Sequence, residues 1–245
     1  MVKVSKRFKE IDKSFDKTKL YNVLDASEII KKNSNSKFDE TVEIAINLGV
    51  DPRHSDQIVR GAVVMPNGIG KSIRVAVFAK DKKADEAKSL GAELVGGEDL
   101  AEKIQNGEEG FERVIATPDM MGIVGKLGKV LGPKGLMPNP KLGTVTQDIE
   151  LAINAAKSGE VQFRAEKSGI VHAGIAKTSL DKEKIAENVN AFIKAIIKAK
   201  PAGAKGTYIK KISLSSTMGR GVKLEEIKEW SKSNLHLFKD VNRVC

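Results

Sequence analysis

Residues that could carry enzymatic chemistry are few in this chain of 245 residues, and they do not cluster. The three histidines, His54, His172 and His236, lie far apart, and none has a cysteine or carboxylate at the spacing of a metal site. Neither a Gly-x-Ser-x-Gly elbow nor a repeated Glu-x-x-His pair is present. The sequence therefore predicts no catalytic residue, no metal site and no cofactor.

One short motif suggests phosphate chemistry. Residues 66–72 read PNGIGKS and end in the Gly-Lys-Ser of a phosphate-binding loop. That loop also needs a glycine five positions before Gly70, where this chain has Met65. An enzyme that binds a nucleotide stays open as the alternative hypothesis, on fold analogy alone.

The most unusual stretch of the chain, residues 122–146, is rich in glycine, proline and lysine. It reads GIVGKLGKVLGPKGLMPNPKLGTVT, holds six of the 22 glycines and three of the seven prolines, and contains no acidic residue. Glycine and proline predict loops and a broken helix end rather than one long element. The lysines of this basic surface are Lys126, Lys129, Lys134 and Lys141.

The net charge of +10 favours a polyanionic partner, and its distribution shows where that partner binds. Residues 68–159 contain 13 Lys+Arg and 13 Asp+Glu, which cancel. Residues 1–67 contain 12 against 10, and residues 160–245 contain 17 against 9. The whole basic excess therefore lies in the two terminal segments.

The chain has no apolar run long enough to cross a membrane, and residues 1–17 lack the apolar core of a signal peptide. A cytoplasmic protein without membrane contact is therefore expected. The single cysteine, Cys245, has no partner thiol, so a disulfide framework is excluded.

Hydrophobic spacing predicts the elements of the N-terminal segment. Apolar residues at helical spacing favour an amphipathic helix over residues 4–15. A second helix is predicted to begin at Asp25, because Asp25 and Glu28 have the spacing of a capping box. Strict alternation predicts strands over residues 41–48 and 58–65.

The C-terminal segment is predicted to complete the same sheet. Residues 161–165 and 170–177 alternate around a tight turn and predict a hairpin. A long helix follows over residues 181–200, and a strand from Tyr208 leads into residues 215–221. Neither terminal segment alone has enough strands and helices to form a complete layered domain. We therefore expect the two segments to contribute strands to one shared sheet.

Between the terminal segments, strands and helices alternate with short links, which predicts a parallel sheet with helices on both faces. The expected fold class is α/β: a split mixed α+β domain of residues 1–67 and 160–225, with an inserted Rossmann-like three-layer domain of residues 68–159. The two crossings, near Asn67 and Gly159, would form a hinge. The predicted central elements are strands 73–79, 92–95 and 113–117, helices 81–90, 99–105 and 148–158, and a helix that begins at Pro118.

Residues 125–140, GKLGKVLGPKGLMPNP, resemble the signature of the ribosomal protein L1 family, the large-subunit protein of the mobile stalk beside the tRNA exit site. Other segments resemble the bacterial members in the same order and spacing. These segments are residues 37–43, 48–53, 55–57, 60–61, 168–172 and 216–219. The resemblance covers residues 1–225 and leaves residues 226–245 as an extension without an assigned role.

The resemblance implies a non-enzymatic protein of the large ribosomal subunit that binds ribosomal RNA (rRNA) to form this stalk. It also implies a part in the release of deacylated tRNA and repression of its own operon mRNA. The lysines of residues 122–146 would face tRNA or the other domain. The residues that would contact rRNA, carried over by motif, are Phe38, Thr41, Glu43, Lys167, Ser168, Gly169, Ser215, Thr217, Met218 and Gly219.

The residue types at these positions suit RNA. Hydroxyl groups pair with RNA 2′-hydroxyls, glycines let the backbone approach closely, and Phe38 and Met218 can pack on a sugar or an exposed base. Lys167 neutralises phosphate, whereas Glu43 would accept from a 2′-hydroxyl or orient a lysine. Without the resemblance, Phe38 would be placed in the core. The chain departs from the family at Arg220, where proline is usual; arginine adds a charge and a donor but loosens the turn.

Overall fold

Eight α-helices and nine β-strands form the part of the chain that the computed structural model describes, residues 5–80, 82–107 and 110–225. This content confirms the predicted mixture of helices and strands. The helices are α1 (Lys6–Ser14), α2 (Val23–Asn33), α3 (Lys82–Ser89), α4 (Glu98–Gln105), α5 (Met121–Lys126), α6 (Gly128–Leu131), α7 (Ile149–Lys157) and α8 (Lys182–Lys198). The strands are β1 (Thr41–Leu48), β2 (Arg60–Val64), β3 (Val75–Phe78), β4 (Leu94–Gly96), β5 (Arg113–Ala116), β6 (Glu160–Arg164), β7 (Ile170–Lys177), β8 (Ile209–Ser216) and β9 (Val222–Lys223).

An antiparallel sheet in the order β7-β1-β8-β9 contains strands from both ends of the chain. Strand β1 pairs with β7 on one edge and with β8 on the other. Its apolar residues Val42, Ile44, Ile46 and Leu48 are buried and alternate with more exposed ones. They pack into one hydrophobic cluster with residues of α2 and α8, so the helices cover this face of the sheet.

Strands β2 and β6 form a two-stranded antiparallel ribbon beside this sheet. A bridge between Ala165 and Val171 joins the ribbon to β7. On the inner face, Phe163 packs edge-to-face on Phe192 of α8, with ring centroids 5.5 Å apart. Gly61 lies against that ring, since an added Cβ would be 2.7 Å from Phe163 Cζ. The core therefore extends beneath the ribbon.

Residues 68–159 contain a three-stranded parallel sheet in the order β4-β3-β5, in agreement with the alternation of strands and helices. Phe78 of β3 belongs to a cluster with residues of α4, α5 and α6 on one face. Val77 belongs to a second cluster, which contains residues of α3 and α7, on the other face. Burial on both faces explains why β3 is an uninterrupted apolar run.

The glycine-rich stretch of residues 122–146 is broken into short pieces, as its composition predicts. Helices α5 and α6 are followed by turns and by a 3₁₀ helix, Pro140–Leu142. Val124, Leu127 and Leu131 are fully buried beneath β3 and β5. The stretch is therefore an anchored surface and not a free loop.

Two local predictions differ from the structure. Helix α2 begins at Val23 rather than at Asp25, because the side chain of Asn22 accepts the Val23 N–H at 2.6 Å. Asp25 lies in the first turn, so the predicted capping box is wrong. The short strand β9 was not predicted. The C-terminal extension, residues 226–245, lies outside the described residues.

The first crossing into the central segment is anchored by a buried amide on α8. Asn188 is fully buried, and its Nδ2 donates to the carbonyl oxygens of Gly68 at 2.9 Å and Ile175 at 3.0 Å. Its Oδ1 accepts the N–H of Asn67 at 3.2 Å. One side chain therefore satisfies three backbone groups where the chain leaves the β2–β6 ribbon.

Replacing Asn188 should destabilise the protein through these unsatisfied groups. We expect Asn188→Ala to lower the free energy of unfolding by about 2–3 kcal/mol. Urea unfolding followed by circular dichroism measures the change. Asn190→Ala is the matched control, because Asn190 lies on the same helix and is half-buried. Equal effects of the two substitutions would contradict this role of Asn188.

Candidate nucleic-acid interface

The face of the four-stranded sheet opposite helices α2 and α8 carries small and polar side chains across three strands. The register aligns residues of β7, β1 and β8 in rows. Glycine, alanine and serine in these rows leave room for an RNA backbone to approach and supply hydroxyl groups to bind it. Two adjacent rows are Gly174–Glu43–Ser215 and His172–Ala45–Ser213.

At one end of this face, hydrogen bonds join Thr41 and Thr217, two of the residues that are expected to contact RNA. Thr217 accepts the N–H of Thr41 on its Oγ1 at 3.0 Å and donates its own N–H to Thr41 O at 3.1 Å. Lys177 Nζ donates to Thr41 Oγ1 at 2.9 Å. Glu43 and Ser215 pair directly beside them. The structure thus brings Thr41, Glu43, Ser215 and Thr217 together.

Two large apolar side chains flank this end. Phe38 is 55% exposed and Met218 is 48% exposed. The expectation from strand position alone, that Phe38 belongs to the core, is wrong, because Phe38 precedes β1 and its side chain lies outside the sheet's inner cluster. Exposed apolar groups beside hydroxyls suit contact with a nucleotide, which offers both a flat base and polar edges.

A buried carboxylate beneath this end, Glu40, holds the turn that carries Met218. The Glu40 side chain is fully buried, and it accepts from Ser36 Oγ at 2.6 Å, the Met218 N–H at 3.1 Å and the Arg7 guanidinium at 3.4 Å. Burial opposes its charged form, but hydrogen bonds from Ser36, Ser216 and the Met218 N–H lower the pKa of Glu40 below its usual value. The sequence interpretation did not assign Glu40 to the site. The alternation of β1 could have found it, since residue 40 falls on the same side as the buried Val42.

The neighbouring carboxylate, Asp39, fixes the other side of the same end. It accepts from Thr178 Oγ1 at 3.0 Å and from Ser179 Oγ at 2.8 Å, just beyond β7. Although burial acts against it, hydrogen bonds from Ser179 and Thr178 lower the pKa of Asp39. The residues before β1 are therefore tied to both neighbouring strands.

Gly219 is required by the turn itself. An added Cβ would collide with Ser216 Oγ, and the Gly219 N–H donates to Ser216 O at 3.0 Å. The sequence interpretation assigned Gly219 to close approach of RNA, and the structure supplies a second reason within the chain. Substitution of Gly219 is thus a poor test of RNA contact, because it would also distort the turn.

The hairpin turn with Lys167, Ser168 and Gly169 lies at the opposite end of β1. Gly169 has φ +74°, and its carbonyl accepts the N–H of Leu48 at 2.9 Å. Leu48 is seven residues from Thr41, which corresponds to roughly 23 Å of strand. The structure therefore divides the expected RNA-contacting residues between two ends of one sheet.

Arg220, which stands where proline is usual in the family, binds helix α1. Its Nε and Nη2 donate to the two carboxylate oxygens of Asp12 at 3.1 and 3.2 Å. Its guanidinium carbon lies 4.4 Å from the ring centroid of Phe8. The arginine thereby connects the turn after β8 to the N-terminal helix.

The lysines of residues 122–146 belong to the central segment and not to the strands of this sheet. Lys126, Lys129 and Lys134 are exposed on the central segment. The same stretch contributes Gly135, Leu136 and Met137 to a cavity of about 300 Å³, whose other side includes Gln162 and Gly174. Gly135, Leu136 and Met137 therefore face the terminal segments.

The nucleotide-binding alternative gains no support from its motif. Residues 66–72 connect β2 to β3 and no helix begins there, although a phosphate-binding loop must open a helix. Lys71 Nζ lies 2.8 Å from Glu112 in an ion pair. Within residues 5–80, 82–107 and 110–225, no group of three metal-ligating side chains occurs. The same residues contain no helix with the length and apolarity of a membrane span.

Comparison with protein-family models identifies the chain. The model of the Ribosomal protein L1p/L10e family matches residues 30–220, and the chain therefore belongs to this family. The family consists of structural proteins of the large ribosomal subunit that bind rRNA, not of enzymes. This result confirms the resemblance inferred from the sequence.

Removing the charge of Glu40 should weaken the end of the sheet that it supports. We expect Glu40→Gln to lower the free energy of unfolding at pH 7 by about 1–3 kcal/mol, because hydrogen bonds to a charged acceptor are lost. The folded-state pKa lies below the ordinary 4.5, so the stabilisation is complete above that value and disappears as pH falls through the folded pKa. Urea unfolding of both proteins at several pH values measures this.

The matched control for Glu40 is Glu86→Gln, which removes the same charge from an exposed position on α3. We expect no change in stability there. A difference between wild type and Glu40→Gln that stays constant on acidification would contradict the role given to the carboxylate.

Proposed function

We propose that this protein builds the mobile stalk beside the tRNA exit site by binding large-subunit rRNA with its open sheet face. The stalk takes part in the release of deacylated tRNA, and the free protein represses translation by binding its own operon mRNA. One observation carries the binding face: the exposed Phe38 and Met218 flank the paired Thr41 and Thr217 on a turn held by the buried Glu40. Family membership supports the rRNA partner, and the motif resemblance supports the tRNA and mRNA partners.

The stalk would move because the chain works as two units joined by two crossings. The hydrophobic clusters support this division. The buried residues of one cluster lie within residues 11–65 and 161–224, and Ile69 packs against it, whereas the buried residues of the other two clusters lie within residues 75–156. The split unit of residues 1–67 and 160–225 would hold RNA, while the inserted unit of residues 68–159 would swing.

An ion pair beside the second crossing links the two proposed units. Arg113, at the start of β5, donates to the backbone oxygen of Glu160, and its Nη1 lies 3.9 Å from Glu160 Oε2. The two side chains are only 13% and 15% exposed. Burial lowers the pKa of Arg113 and raises the pKa of Glu160, and each charge partly offsets the effect on the other. Opening would have to rehydrate both groups.

The lysines of the inserted unit are proposed to face tRNA. Lys126, Lys129, Lys134 and Lys141 belong to a stretch without acidic residues, whose buried leucines fix its position. A charge-balanced unit with one basic surface can contact a polyanion transiently without holding it tightly. This suits a surface that meets tRNA only when the stalk moves.

The exposed apolar residues give a direct test of the rRNA-binding face. Phe38→Ala and Met218→Ala should each weaken binding of a stalk rRNA fragment by about 1–3 kcal/mol, the range for loss of an aromatic or apolar contact to a base. Binding is measured by titration against a control RNA of the same length at several salt concentrations. The apolar contribution should persist at high salt, because it releases no counterions.

The control for these two substitutions is Leu151→Ala, which truncates a side chain that is 71% exposed on α7. Its affinity should equal that of the wild type. Equal affinities of all four proteins would contradict the proposed face. Titrating the operon mRNA in parallel tests the repressor role, since the same substitutions should weaken both RNAs.

A chain that joins residues 1–67 directly to residues 160–245 should keep specific rRNA binding. The reason is that the basic excess, the sheet face and the buried residues of one hydrophobic cluster all lie outside residues 68–159. Circular dichroism checks that the joined chain folds, and titration compares its affinity with that of the full chain. Specific binding that is lost although the joined chain folds would contradict the assignment of RNA binding to the split unit.

A further inference from the structure

Two arginines lie directly opposite each other in the β2–β6 ribbon. The register pairs Arg60 with Arg164, so both side chains leave the ribbon on the same face. Phe163 and Val161 are buried on the other face. Both guanidinium groups therefore belong to the outer surface. Like charges directly opposite each other in a sheet destabilise it.

No acidic side chain compensates this repulsion. Among residues 5–80, 82–107 and 110–225, neither Arg60 nor Arg164 makes a salt bridge or a side-chain hydrogen bond. Glu166, two residues after Arg164, makes no salt bridge with either arginine. Arg60 is half-buried, and burial together with the charge of Arg164 lowers its pKa. The free protein thus keeps a repulsive pair that its own residues do not neutralise.

The arginine pair continues the rows of the open sheet face. Ala165 and Val171 are bridged and buried, so their neighbours Arg164 and His172 lie together on the outer side. His172 in turn belongs to a row with Ala45. In this row, His172 of β7 is followed by Arg164 of β6 and then by Arg60 of β2. The row therefore extends two strands beyond β7, and Arg164 lies three residues before Lys167 of the hairpin turn.

We propose that Arg60 and Arg164 form a clamp for one phosphate group of the RNA backbone, separate from the contacts at Thr41 and Thr217. Two facing guanidinium groups offer several N–H donors in the planar arrangement that matches phosphate oxygens. A bound phosphate would also remove their mutual repulsion. The row that contains the two arginines meets β1 at Ala45, four residues from Thr41, and Arg60 lies three strands away from β1. The clamp is therefore on the order of 15–20 Å from Thr41, so the clamp and the Thr41–Thr217 end would bind different nucleotides.

This inference rests on the binding of rRNA, and the test is designed to separate the two. Arg60→Gln and Arg164→Gln should each weaken binding of the stalk rRNA fragment about 10-fold and reduce the slope of log affinity against log salt by about one. Their unfolding temperatures should stay equal to that of the wild type or rise, because repulsion is removed. Loss of affinity without loss of stability is a combination that a purely structural role does not produce.

Two further variants make the test specific. Arg74→Gln removes the same charge from a half-exposed arginine in the central segment, and its affinity should match the wild type. Arg164→Lys keeps the charge and loses the planar fork, so the salt slope should stay while affinity falls. Arg164→Gln with no greater loss than Arg74→Gln would overturn the clamp. A wild-type chain that does not prefer the stalk RNA would instead overturn the proposed function.

Inorganic phosphate distinguishes an RNA phosphate from a free anion. Thermal unfolding is measured in sodium phosphate and in sodium chloride at equal ionic strength. We expect similar unfolding temperatures for the wild type in both salts, because an isolated phosphate lacks the neighbouring RNA contacts. Specific stabilisation by phosphate that Arg164→Gln abolishes, together with unchanged RNA affinity of that variant, would assign the arginine pair to a free anion and overturn the clamp.

Discussion

The structure depends on a strand from the first third of the chain that is hydrogen bonded on both edges by strands from the last third. β1 cannot complete its ladder or bury its apolar face until β7 and β8 lie beside it. This requirement brings the two ends of the chain into one hydrophobic cluster, and residues 68–159 lie between them in the sequence. The same pairing makes Thr41, Ser215 and Thr217 neighbours at one end of the sheet.

Charge is used in opposite ways at two places on this surface. Beneath the Thr41–Thr217 end, hydroxyl and amide donors bind the buried carboxylate of Glu40 and the exposed carboxylate of Asp39, so hydrogen bonds within the chain hold this end. At Arg60 and Arg164 the charges are left uncompensated. The acidic residues at this end thus support the backbone of the proposed binding face, whereas the two arginines have no acidic partner among the described residues.

Much of this architecture could be predicted from the sequence, for reasons that can be traced to particular residues. Residues 41–48 alternate because β1 is buried on one face, and β3 is continuously apolar because it is buried on both faces. Both patterns are visible in the sequence, so both strands were predicted correctly. The start of α2 was misplaced because Asn22 and Asp25 are both good capping residues, and packing decides between them. Glu40 and the Arg60–Arg164 pair were missed because their roles depend on cross-strand partners more than a hundred residues away. The bond of Arg220 to Asp12 is of the same kind.

The long sequence separation of β1 from its partners also has a meaning during synthesis. A chain emerges from the ribosome with β1 early and with β8 only after more than four-fifths of its length. Until Ser216 is available, the edge of β1 that faces β8 has no partner, and Thr41 has no Thr217 to pair with. A copy whose synthesis has not yet reached β8 therefore lacks the proposed RNA-binding surface.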